Sequence, residues 1–63
     1  MSLQELLDHY DNWNHTIVVN NKNMRTIASE KISDFVYGNV GLTQVKVISF
    51  CCYDGELCVR IDY

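Results

Sequence analysis

Cys51, Cys52 and Cys58, together with His9 and His15, are the side chains whose chemistry could include metal ligation or thiol exchange. Adjacent residues of a strand point to opposite faces, so Cys51 and Cys52 diverge. A zinc site needs ligands that converge, as in a C-x2-C pair. Cys52 is therefore expected to be a small core residue. Cys51 and Cys58 are expected as a reduced pair on the opposite face, able to join only on oxidation. His9 and His15 lie near Asp8 and Asp11 in sequence. An acid–base pair requires fixed mutual geometry within a pocket, which so short a chain does not readily enclose. Both histidines are expected at the surface. No serine occupies a nucleophile elbow, and no glycine-rich loop is present to cradle phosphate. These residues predict no enzymatic activity, no cofactor and no bound metal.

Aromatic and acidic residues are the stronger functional candidates. Tyr53 falls beside Asp54 and Glu56, and Asp62 follows on the same strand pattern. A tyrosine flanked by acids suits a protein interface, although Tyr53 could instead pack over its own turn. Glu5 and Asp8, on the outer face of the first helix, form a second acidic patch. The candidate partner-binding set is Tyr53, Asp54, Glu56, Asp62, Glu5 and Asp8.

The elements that position these residues follow from patterning. Ser2 and Glu5 form a capping box, and Leu3, Leu6, Leu7 and Tyr10 recur on one helical face. The polar run Asp11–Asn14 ends that helix, with Trp13 folding back onto it. His15 to Val19 reads as a strand and Asn20 to Asn23 as a turn. Residues 24–37 allow two readings. Met24, Ile27, Ala28, Ile32, Phe35 and Val36 fit one helical stripe, but the dense turn chemistry favours a strand over Met24–Ala28 and then a short helix from about Glu30 to Tyr37. Gly38 and Gly41 are expected to end the helix and free the chain to turn.

Asp54-Gly55 is a two-residue hairpin signal. It pairs Ile48 with Ile61, Phe50 with Val59 and Cys52 with Leu57 on one apolar face. Val47, Ser49, Cys51, Tyr53, Glu56, Cys58, Arg60 and Asp62 fall on the other. A three-residue turn would set Phe50 against Cys58 and Ile48 against Arg60, so the register with one apolar face is expected.

The chain has 63 residues, 48% of them hydrophobic, which suits a single folded domain over 1–63. The expected fold is α+β: a small antiparallel sheet with a C-terminal β-hairpin, packed against one or two short helices. A core of this size supplies only about 3–5 kcal/mol of net stability. The net charge is −3, and Lys22, Arg25, Lys31, Lys46 and Arg60 do not cluster. Direct nucleic-acid binding calls for a basic patch, so a protein partner is expected instead. No apolar run approaches the ~20 residues of a membrane span, so no membrane partner is expected. No signal-peptide pattern fits, and three cysteines make an odd count for a disulfide framework. Both point to the cytoplasm.

Leu6–Trp13, Val18–Asn23 and Tyr53–Arg60 resemble small proteins encoded by phages and mobile elements of anaerobic gut bacteria. The likeness covers most of the chain and brings no catalytic residues. It implies a bacterial host cytoplasm and an inhibitor of host machinery, in the manner of anti-CRISPR proteins. The partner would then be a host nucleic-acid-handling protein such as a CRISPR effector nuclease. The alternative from the residues themselves is a self-associating module, a homodimer formed through a sheet edge or an open sheet face.

Overall fold

The computed structural model describes residues 1–63. The chain is an α+β domain with element order α1 (Leu3–Asp8), β1 (Thr16–Asn20), β2 (Thr26–Lys31), α2 (Ile32–Gly38), α3 (Val40–Thr43), β3 (Val47–Tyr53) and β4 (Glu56–Ile61). The helix α1 starts as the capping box requires, with Ser2 Oγ accepting from Glu5 N at 3.1 Å and Glu5 Oε1 accepting from Ser2 N at 3.0 Å. Trp13 folds back onto it and donates Nε1–H to the Leu7 carbonyl at 3.0 Å. The middle of the chain is a strand followed by a helix, but each starts about two residues later than expected: Met24, at φ 67°, stays in the turn, and Glu30 and Lys31 still belong to the strand. That strand begins after a turn organised by Asn21, whose Oδ1 accepts from both Asn23 N and Arg25 N. Gly38 closes α2, whereas Gly41 lies inside α3 and terminates nothing.

The sheet order is β2-β1-β4-β3. Each hairpin, β1–β2 and β3–β4, is antiparallel, and the two meet through a parallel β1–β4 pair that makes the sheet mixed. Three helices cover one face. Ile17 and Val19 of β1 and Leu57, Val59 and Ile61 of β4 point into the core against Leu3, Leu6, Leu7, Ile32 and Phe35. No helix packs on the other face, where Met24 of the β1–β2 turn lines a shallow depression with Ser49, Cys51, Cys58 and Arg60. No helix is long and apolar enough to cross a membrane.

The terminal hairpin turns at Asp54-Gly55, with Phe50 opposite Val59 and Cys52 opposite Leu57. Two expectations from its sequence need correction. A bulge shifts the register between Val47 and Ser49, so Val47, not Ile48, pairs with Ile61. The extra residue of a bulge is left out of the ladder. Val47 is accordingly buried, and Ile48 is 45% exposed. Phe50 and Cys52 keep the apolar side of the sheet, yet Phe50 is 48% exposed and Cys52 is exposed as well. The helical layer lies over β1 and β4, the strands whose inward side chains are buried, and stops short of β3. Val47→Ala is therefore expected to cost about 1–2 kcal/mol and Ile48→Ala less than about 1 kcal/mol. Urea unfolding checks the order, and a costlier Ile48 replacement would rule out the bulge.

Candidate protein-binding site

The hairpin turn carries three of the candidate residues, Tyr53, Asp54 and Glu56. Asp54 and Gly55 adopt φ values of 51° and 76°. Positive φ at both central residues is the signature of the type I′ turn, whose twist matches that of its strands. Tyr53 and Glu56 form the pair that closes it. Leu57 is buried on the helical side, so Glu56 and Tyr53 stand on the uncovered face, where Tyr53 is 81% exposed. Tyr53 does not pack over its own turn.

The start of β1 and the residue before it brace this tip. Thr16 N donates to the Gly55 carbonyl at 3.2 Å, and the His15 ring lies alongside Gly55. The Tyr10 hydroxyl and His15 Nδ1 share a hydrogen bond of 2.8 Å, with the rings edge to face at a centroid distance of 5.8 Å. Burial, and then the neighbouring Cys52 thiol, push the Tyr10 phenol above its ordinary pKa. His15 is thus half-buried and structural, not simply a surface histidine. Sequence spacing carried no signal for this, because Tyr10 and His15 meet only through the fold of the Asn-rich loop between them.

The remaining candidates do not join the tip. Asp62 lies beyond the far end of β4, roughly 20 Å from Glu56 at ~3.3 Å per residue. Its backbone N–H donates to the Lys46 carbonyl at 2.9 Å. Glu5 and Asp8 belong to the helical layer on the other side of the sheet. The cap hydrogen bonds from Ser2 hold the Glu5 carboxyl below its ordinary pKa, and Asp8 accepts from Gln4 Nε2 at 2.8 Å. Of the six candidates, Tyr53, Asp54 and Glu56 form one patch. Lys31 shares their row of the uncovered face, separated from Glu56 by Thr16.

The cysteines are all free thiols. Cys51 opposes Cys58 as the register predicts. Cys58 Sγ donates to Glu56 Oε1 at 3.3 Å, and burial, followed by that carboxylate, pushes its pKa up. His9, Asp11, His15 and Cys52 line one open depression, but no group of three or more His, Cys, Asp or Glu side chains is gathered tightly enough to hold a metal ion. No protein-family model matches the chain, and no curated protein or solved structure matches it significantly.

Proposed function

We propose that this chain is a non-enzymatic inhibitor that binds a host nucleic-acid-handling protein through its hairpin tip and occludes a basic surface there. The exposed Tyr53 ring, held between Asp54 and Glu56 on a braced type I′ turn, carries this reading. Tyrosine supplies a large contact area at low entropic cost. Carboxylates entering a groove that normally holds phosphates replace them electrostatically. The turn and its contact with His15 fix the spacing of these groups before binding, which lowers the ordering cost. The mobile-element resemblance supplies the target class, of which a CRISPR effector nuclease is the example to test.

The test measures target-DNA cleavage by purified CRISPR effector nucleases of gut anaerobes with increasing amounts of the protein. Wild type is expected to inhibit at least one effector. The double reversal Asp54→Lys with Glu56→Lys is expected to weaken inhibition by roughly tenfold or more, with most of the loss in association rate. Asp62→Lys, remote from the tip, is expected to inhibit as wild type does. Full inhibition by the double variant would remove the tip as the binding face. Failure to inhibit any effector would remove the target class.

A further inference from the structure

We propose that two copies of this chain pair edge to edge through β3, forming an antiparallel two-fold dimer with Cys51 on the axis. The two edges of the sheet are built differently. The β2 edge carries Glu30 and Lys31, follows Arg25, and is broken by a register shift opposite Val19 and Asn20. Charges and bulges of this kind are how edge strands avoid pairing with other chains. The β3 strand, Val47–Tyr53, has no charged residue and no proline. In a chain of net charge −3 it is a stretch along which a second copy meets no like charge.

The free part of this edge is bounded on both sides. At its start the N-terminal residues already pair with it: Leu3 N donates to the Val45 carbonyl at 2.9 Å, and Val47 N donates to the Met1 carbonyl at 2.8 Å. The bulge at Ile48 follows, and the turn at Asp54 closes the far end. Ser49–Tyr53 remains, and its midpoint is Cys51.

The pairing pattern within this window suits a two-fold. Tyr53 and Glu56 close a two-residue turn and so form a hydrogen-bonded pair. In an antiparallel ladder such pairs alternate with pairs that are not hydrogen-bonded. Ser49 and Cys51 therefore direct their backbone groups toward β4, while Phe50 and Cys52 direct theirs to the free edge. With the axis at Cys51, Phe50 exchanges backbone hydrogen bonds with Cys52 of the second copy, and Cys52 with its Phe50. The half-exposed Phe50 ring gains cover, and the two helical layers lie on the same side of a continuous sheet. An edge this short buries well below the ~800 Å² per partner of a stable interface. The dimer is therefore reversible and depends on concentration.

The axial Cys51 pair supplies a covalent reporter. Residues facing each other in a non-hydrogen-bonded pair have Cα atoms about 4.5 Å apart, inside the range that a disulfide spans. An added mild oxidant such as diamide takes up the two electrons and two protons released as the two thiols join. Sedimentation of the reduced 63-residue chain from micromolar to millimolar concentration is expected to show a monomer–dimer equilibrium. On oxidation, the variant retaining only Cys51 (Cys52→Ser, Cys58→Ser) is expected to form a disulfide dimer faster than the variant retaining only Cys52 (Cys51→Ser, Cys58→Ser). Cys51→Lys sets like charges opposite one another and is expected to weaken the dimer roughly tenfold or more while circular dichroism stays native. A wild-type chain that remains monomeric throughout, or crosslinking that is no faster through Cys51 than through Cys52, overturns the proposal. Unimpaired dimerisation of a folded Cys51→Lys variant does so too. If that variant does not fold, the crosslinking comparison decides. The reversal of Asp54 and Glu56 leaves the Ser49–Tyr53 window unaltered, so target inhibition and dimerisation can fail separately.

Discussion

Phe35→Ala is expected to cost about 3–5 kcal/mol, as large aromatic-to-alanine changes in a packed core do. Phe35 is fully buried and is the largest such side chain in the chain. It reaches the core from α2 one turn after Ile32, which is also fully buried, so the two anchor that helix to the sheet. A 63-residue domain holds only about 3–5 kcal/mol of net stability, so the variant is expected to be largely unfolded at 25 °C. Phe50→Ala supplies the internal comparison. Phe50 is half-exposed beyond the rim of the helical layer, and its removal is expected to cost about 1–2 kcal/mol. Denaturant unfolding followed by circular dichroism measures both. A Phe50 loss equal to or larger than the Phe35 loss would place the core under β3 and contradict the arrangement described here.

Gly55→Val is expected to cost about 2–3 kcal/mol, the second largest stability effect. Gly55 sits at φ 76° in the hairpin turn. A non-glycine residue held in this region is strained by about 1–3 kcal/mol, and β-branching places valine at the upper end. The Cβ itself would sit 3.9 Å from His15 Cδ2, an ordinary contact, so the expected cost arises in the backbone. Gly55→Asn tests this cause, because asparagine adopts the left-handed region at low cost. It is expected to retain most of the stability that the valine variant loses. Thermal melts of the three proteins provide the measurement. Equal melting temperatures for wild type and Gly55→Val would show that the turn is not of type I′.

Much of this architecture is local and was legible in the residues. The Ser2–Glu5 cap, the Leu3/Leu6/Leu7 face, the Asn-rich turn and the Asp54-Gly55 hairpin each depend on neighbours within a few positions. Short-range hydrogen bonding and side-chain periodicity suffice to specify such features. The pairing of Phe50 with Val59 belongs with them, since a turn of known length sets the register of its own strands. The candidate patch was legible for the same reason: Tyr53, Asp54 and Glu56 are placed by the turn they flank.

Tertiary structure decided the features that join distant segments. The parallel pairing of β1 with β4 has no local signature, because its partners are separated by most of the chain. The extent of the helical layer is likewise non-local. Alternation correctly set the side of the sheet on which Phe50 and Cys52 lie, but only the placement of α1 and α2 over β1 and β4 determined that these side chains stay exposed. The bulge at Ile48 depends on how Val47 meets both Ile61 and Met1, a three-way junction that strand periodicity does not encode. The acidic candidates divided in the same way. Charge type was plain from sequence, but whether Glu5, Asp8 and Asp62 stood with Glu56 depended on which layer and which end of a strand each occupied. Residue spacing specifies which groups one element carries, whereas packing between elements sets which groups share a surface.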